Sequence, residues 1–482
     1  MSSATIIATI AGYIILLFVV ARYAARRVND SNFFTAGRST HRAVAAIAMV
    51  GAAMSGVTYI SVPGSVMADS FSYLQTTLGF FVGYLIIAFV LVPLYFRLGV
   101  VSLYEYLDHR FGVTSHRTGA WLFFISKLLS ASLRAFVVCV VLQTLLFDRY
   151  DIPFALNAAI MMSLVWLYTR RGGVRSVVWI EMLKTIIMVS SIVLCIIFIM
   201  RALGYNIGEA ATAIHHSDLS KVLFFDDPMD RRYFWKQFLA GIFLVVAMTG
   251  MDQDMMQTVL SCRSKRDAQR GLISSIIVQM VVIVLFLVLG ALLYIYVAGR
   301  EGVPEGDALF GYVATGGGLP AIVGVLFLLG LVASTYSSAG SALTALTTSM
   351  TLDILDGRKK GDEGLGKLRR GTHTAIAVTM ALIIVAFNAW SSAGVITLIF
   401  TMASYTYGPL LGMFLFGLLT RRTINERAVP IIAILSPLIC YVVSTHSAAW
   451  FGGYTFSYEI IILNAALTMM GLYIFSKSPT HQ

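Results

Sequence analysis

Charge is what this 482-residue chain has least of: Asp, Glu, Lys and Arg make up 12% of it, while 58% is hydrophobic. A soluble domain carries about 25% charged residues, so the deficit points to a lipid bilayer as solvent. Cysteine is scarce as well. Cys139, Cys195, Cys262 and Cys440 are scattered, with no CxxC pair and no Cys/His cluster, which supports neither a disulfide framework nor a zinc site. The chain has no GxxxxGK[ST] loop; GGVRS within TRRGGVRS falls short of it, so nothing suggests ATP-driven transport. The longest polar stretch, about 202–232, is too short for an independent domain. The apolar segments offer no nucleophile–base pair, and His109 and His116 fall in loops. These absences disfavour an enzyme and leave a carrier or a channel.

Present instead are apolar runs of roughly 20 residues, each long enough to span about 30 Å of hydrocarbon. Thirteen are expected, at about 4–24, 43–69, 73–97, 118–147, 153–169, 176–201, 233–261, 270–299, 320–352, 372–390, 392–419, 428–446 and 456–476. The first is too long, and too bare of a small-residue cleavage site, to read as a signal peptide. Loops after odd-numbered spans, with the C-terminus, hold 25 of the 35 Lys and Arg, and loops after even-numbered spans hold seven. The positive-inside rule then predicts an outside N-terminus and a cytoplasmic C-terminus. The net charge of +11 is thus a topology signal in a protein set among membrane lipid, and no nucleic-acid partner is expected.

Two spans carry breakers. The second, AIAMVGAAMSGVTYISVPGSVMADS, holds Gly51, Gly56, Pro63 and Gly64; the seventh, FLAGIFLVVAMTGMDQDMMQTVL, places Gly250 before Asp252, Gln253 and Asp254. Glycine weakens a helix and proline removes a donor. Irregular backbone at membrane depth survives only where it lines a protein cavity, and charge there must face a cavity or a partner. The two spans stand five apart, so spans 2–6 and 7–11 read as inverted repeats, each opened by a broken helix, with a binding site at their interface. The competing reading is that these residues only kink packed helices.

Span 9 contains VASTYSSAGSALT, with Ser334, Ser337, Ser338 and Ser341 on one helical face. Hard cations such as Na⁺ take oxygen ligands, and a broken second helix would offer carbonyls near Gly51 to Met54. The same serines could equally form a packing seam, their hydroxyls bonded to the preceding turn.

The stretches MSGVTYISVPG (54–64), LVPLYFRLGVVSLYEYLDHRFG (91–112), GGVRSVVWIEMLK (172–184), MDQDMMQTVLSCRSKRDAQRG (251–271), SSAGSALTALTTSMTLDI (337–354) and FLFGLLTRRTINERA (414–428) resemble the sodium/solute symporters. That family includes proline, pantothenate, sialic acid, iodide and glucose cotransporters. The resemblance implies an all-α polytopic protein with a LeuT-like inverted repeat of two five-helix halves, helices 2–6 (about 43–201) and 7–11 (about 233–419). Peripheral helices would lie at about 4–24, 428–446 and 456–476. It further implies Na⁺-driven uptake of a small solute across a bacterial plasma membrane. Carried over by position, the common sodium site would use the carbonyls of Gly51, Met54 and Ser334 and the hydroxyls of Ser337 and Ser338. A second sodium site in some members uses an Asp in a WTD motif. Here the motif reads WIE, so Glu181 would act with Ser337 and Ser341, while an intervening serine is replaced by Gly340. The competing role for Glu181 is an ion pair with Lys184, one turn on.

In such a fold the solute sits at the two breaks. The candidates here are Ser55, Thr58, Tyr59, Gln75, Thr77, Arg134, Asp252, Gln253, Phe400 and Tyr405. Arg134, seven residues beyond Lys127 on the same face of span 4, either pairs structurally with Asp252 or Asp254 or clamps a solute carboxylate through bidentate hydrogen bonds. A carboxylate-bearing sugar acid such as sialic acid is one expected solute; a neutral sugar, polyol or amino acid is the other. A proton-coupled carrier built on Glu181, Asp252 or Asp254, or a channel, is the reading from a different class.

Overall fold

The structure, a computed structural model, describes residues 3–26, 33, 36–38, 40–390 and 395–478. Helix occurs in each of the thirteen expected segments. We label the main helices α1 (Ser3–Ala25), α2 (Arg42–Ala53), α3 (Gly56–Gly64), α4 (Tyr73–Ile86, continued to Leu98), α5 (Val113–Leu145), α6 (Phe154–Leu203), α7 (Phe234–Val245), α8 (Gln253–Leu260), α9 (Lys265–Val297), α10 (Asp307–Gly316), α11 (Ala321–Ser349), α12 (Gly361–Trp390), α13 (Val395–Leu419), α14 (Val429–Trp450) and α15 (Ile460–Ile474). Among the described residues nine helices are long and apolar enough to cross a bilayer, and two more candidate spans are bent pairs. The pieces Phe154–Arg170 and Ile460–Ile474 are apolar but shorter. The chain is an integral membrane protein.

The two bent pairs are those expected from their breakers. α2 meets α3 at 58°, and α7, through a π turn over Val246–Gly250, meets α8 at 66°. The first break falls at the end of the Gly51–Met54 stretch, where the sequence predicts open carbonyls. It lies at Met54 and Ser55, both extended, whereas Pro63 sits in the last turn of α3. There the proline has no N–H to donate to the Tyr59 carbonyl four residues back.

Spans 5 and 6 are joined within α6 by a kink at Gly173, whose φ is +49°. This left-handed conformation favours glycine, and it turns the chain so that Val174 N–H donates to the Phe33 carbonyl at 3.0 Å. α6 packs most extensively against α11, and α11 also contacts α5 and α1. α4 lies along α7, and α13 along α15 and α5. The larger of two main hydrophobic clusters runs through this bundle. Tyr59 is completely buried in it, with ring contacts to Phe286, Phe310 and Phe327. A two-residue antiparallel pair, Thr423–Ile424 with Ser476–Lys477, fastens the C-terminal segment to the connection before α14.

Candidate ion and solute site

Where α2 stops, its last carbonyls have no helical partners. The Gly51 carbonyl accepts the Met54 N–H at 3.1 Å, and the Met54 carbonyl accepts a hydrogen bond from Lys184 Nζ at 2.9 Å. Lys184 Nζ also donates to the Ser338 hydroxyl at 3.2 Å and stands 2.6 Å from Glu181 Oε2. The structure thus brings α2, α6 and α11 together at the oxygens expected to hold sodium. Ser334 and Ser337 are buried there, and Ser337 lies beside Glu181. Among the described residues the Ser334 hydroxyl has no hydrogen-bond partner.

The second sodium set is engaged otherwise. Glu181 forms an ion pair with Lys184, as its competing reading required, with both side chains wholly buried. The Ser341 hydroxyl donates to Asp254, not to an open site. The space of a side chain at Gly340 is taken by Tyr168, whose hydroxyl donates to the Tyr336 carbonyl at 2.5 Å. The structure therefore does not assemble Glu181 and Ser341 as a pair of free ligands, because each already has a partner of its own.

The second break presents acids. Asp252 is extended and caps α8, its carboxylate accepting the Asp254 N–H at 2.8 Å. A carboxylate at a helix N-terminus satisfies orphan donors and meets the positive end of the helix dipole. Lys127 Nζ reaches Asp252 at 3.1 Å and Asp254 at 2.6 Å, and the Tyr407 hydroxyl donates to Asp252 at 2.6 Å. Both aspartates are thus committed to Lys127. Arg134 makes no hydrogen bond or ion pair among the described residues, and its buried Nε is unpartnered, so the structural pairing considered for it is not what forms.

A cavity lies between the two breaks, with a smaller one beside it. Arg134, Ser55 and Lys127 border both. Of the candidate solute contacts, Ser55, Thr58, Arg134, Asp252 and Phe400 line the larger cavity. The other five lie elsewhere. Tyr59 is in the core, bonded to Ser191 at 3.0 Å. Gln75 is spent on the Arg232 carbonyl and the Phe224 N–H. Thr77 bonds back to Tyr73, and Tyr405 faces Tyr441. Gln253 uses both ends of its amide on the backbone of Val101 and Leu103, each at 2.9 Å. The sequence reading missed Tyr407, Tyr73 and Ser130 as lining residues. Two of these had a signal in helical spacing: Tyr407 is seven residues beyond Phe400, and Ser130 lies between Lys127 and Arg134 on one stripe.

Residues 33–436 match the model of the sodium:solute symporter family. The chain belongs to that family. Among its curated relatives, the human sodium/iodide cotransporter is 24% identical over 409 residues, covering 83% of this chain and 62% of the relative. Sodium-coupled monocarboxylate transporter 1 of Xenopus laevis is 25% identical over 407 residues, covering 81% and 63%. The chain thus spans less than two thirds of the length of these relatives. Its fold is that of a Na⁺-coupled sialic acid symporter solved in a substrate-bound outward-open state, with TM-score 0.82 at 18% identity over 98% of this chain and 99% of the other. A nucleobase-cation-symport-1 family transporter, closed around bromovinylhydantoin, matches at TM-score 0.59 and 15% identity over 92% and 94%. For this symporter-family chain, the bent pairs α2–α3 and α7–α8 each open one five-helix half of the LeuT-like fold.

Proposed function

We propose that this chain is a Na⁺-coupled symporter of a small organic carboxylate, working by alternating access with its N-terminus outside and its C-terminus in the cytoplasm. The observation that carries the solute class is the guanidinium of Arg134, which makes no hydrogen bond or ion pair among the described residues and borders a cavity whose two aspartates are both held by Lys127. Lys127, Arg134, Asp252 and Asp254 sum to zero formal charge, so one Na⁺ with one monoanion leaves the buried site neutral, which low dielectric demands. Iodide, monocarboxylates and sialic acid, named for the relatives and for the fold neighbour, are all anions. A sugar acid of the sialic type is the finer form of this reading, with Ser55 and Thr58 as hydroxyl partners.

The sodium ligands in this reading are the carbonyls of Gly51, Met54 and Ser334 and the hydroxyls of Ser337 and Ser338. Two inverted repeats, about 43–201 and 233–419, would rock about them. Na⁺ favours one state only by binding it better than the other, and the solute then raises Na⁺ affinity by the same factor.

Uptake by proteoliposomes under separate Na⁺ and H⁺ gradients, across sugar acids, short carboxylates, neutral sugars and amino acids, tests the reading. Anionic solutes should accumulate under the Na⁺ gradient. Accumulation driven by H⁺ and indifferent to Na⁺ would transfer the chain to the proton-coupled class. The Ser337→Ala and Ser338→Ala double variant should need more Na⁺ for half-maximal uptake.

A further inference from the structure

The ammonium of Lys184 stands where a bound cation is expected. It donates to the Met54 carbonyl at 2.9 Å and to the Ser338 hydroxyl at 3.2 Å, two of the five oxygens assigned above to Na⁺. Its third neighbour, Glu181 at 2.6 Å, is the carboxylate of the second sodium set. One side chain, wholly shielded from solvent, thus spans both sets of ligands. An ion pair alone would be complete within α6, since Glu181 and Lys184 are one helical turn apart. The two further bonds reach across to α2 and α11, the helices a bound Na⁺ would tie together. They also satisfy the helix-end carbonyl that the break at Met54 leaves open.

An ammonium and Na⁺ are compact monovalent cations that both take oxygen. Two such charges a few ångströms apart, without water between them, repel strongly. The fixed charges facing Lys184 from other elements are Asp254 of α8 and Arg134 of α5. They cancel formally and leave no surplus negative charge to hold a second cation.

We propose that the Lys184 ammonium is a tethered occupant of the sodium site, and that Na⁺ and this ammonium exclude one another there. Na⁺ takes the Met54 and Ser338 oxygens only when the lysine side chain withdraws, still able to remain on Glu181. The break in α2 is then bound to α6 and α11 even without added ion, and the affinity for Na⁺ is held low by a competitor that cannot diffuse away. This inference rests on the sodium-coupled reading above.

Equilibrium binding of radiolabelled Na⁺ to purified protein, without solute, tests it. The comparison is with the double variant Glu181→Gln, Lys184→Met, in which both charges leave and no bare carboxylate remains to attract the ion. Removing the competing charge should lower the Na⁺ concentration for half-saturation at least about tenfold. Equal half-saturation in the two proteins overturns the proposal, and so does weaker or absent binding in the variant. Hydrogen–deuterium exchange on the unaltered protein decides the matter should the variant not fold. The amides of residues 51–58 should already be protected in sodium-free choline chloride. Free exchange there, followed by protection on adding Na⁺, overturns the proposal. Absence of solute uptake under any Na⁺ gradient would instead sink the symport reading, and neither the binding nor the exchange measurement depends on uptake.

Discussion

Lys127 Nζ lies 2.6 Å from Asp254 Oδ2, with each side chain more than nine-tenths buried. The same ammonium holds Asp252 at 3.1 Å, so one lysine of α5 bridges both acids at the break before α8. Breaking a buried pair by removing one partner costs about 3–5 kcal/mol, because the other charge is left uncompensated. Lys127→Met should therefore lower the unfolding temperature in detergent sharply. Adding Asp254→Asn, which removes the charge held most closely, should recover a good part of that loss. A double variant no more stable than Lys127→Met would show that the pair does not account for the effect.

Because Lys127 occupies the aspartates, Arg134 is free for a ligand. Hydrogen bonds to charged groups are worth roughly 1.5–3 kcal/mol, so Arg134→Ala should weaken binding of a carboxylate solute about ten- to hundredfold. Arg134→Lys keeps the charge but loses the planar fork and should recover only part of the affinity. Calorimetric or thermal-shift titration of the solute in NaCl reads both. Equal weakening of neutral and anionic solutes in Arg134→Ala would mean the arginine shapes the cavity without contacting a carboxylate.

Much of this was legible in the sequence because the bilayer imposes few, strong rules. Apolar length and the alternation of Lys and Arg located the helices, and glycines beside Asp252 within one span located the second break. The i, i+7 spacing placed Lys127 and Arg134 on one face. Legibility ended where a side chain's partner lies on another helix. Lys184 reads as a local partner of Glu181, and only the packing of α6 against α2 carries its ammonium to the Met54 carbonyl. Gln253 reads as a cavity residue because it follows Asp252, but α8 turns it toward the Val101–Leu103 backbone. Pro63 reads as a breaker, but the helix breaks nine residues earlier, at Met54, and the proline sits in the last turn of α3.

Gly340 illustrates a close approach that composition alone cannot reveal. A methyl group there would overlap the Tyr168 hydroxyl and stand 2.6 Å from the ring carbon that bears it, and the nearest atom of another residue, Thr169 Cγ2, is 3.0 Å away. Gly340→Ala should destabilise the protein by about 1–3 kcal/mol through overpacking. Tyr168→Phe removes the clashing oxygen along with its bond to the Tyr336 carbonyl. The combination should thus cost less than the sum of the two single changes. Additive unfolding losses would exclude a steric conflict with the Tyr168 hydroxyl. Gly340→Ser should be destabilised in the same way, and should gain no Na⁺ affinity, since its hydroxyl would enter space that Tyr168 fills.

Gln253 fastens α8 to the loop after α4 through two backbone hydrogen bonds. The Tyr104 hydroxyl adds a third by donating to the Met251 carbonyl at 3.1 Å. At the same end, Ser102 donates to Asp353 at 2.7 Å, and His116 Nε2 lies 3.1 Å from that carboxylate. The motif RLGVVSLYEY is thereby latched to the second break and to Asp353 after α11, in loops rich in Lys and Arg, while Tyr73 and Phe400 line the larger cavity. If α8 must leave this loop for the solute to exit, weakening the latch shifts the population toward the state open on the basic side. Gln253→Ala removes two buried hydrogen bonds of about 1 kcal/mol each and should raise the population of that state roughly tenfold or more. A single cysteine placed in the latch, on a background lacking the four native cysteines, reports it by its rate of modification. The rate should rise in Gln253→Ala and fall when a solute-bound state closed on the basic side is stabilised. A rate unaffected by Gln253→Ala would mean that the loop is held by Tyr104 and Asp353 alone, and that Gln253 contributes packing without controlling access.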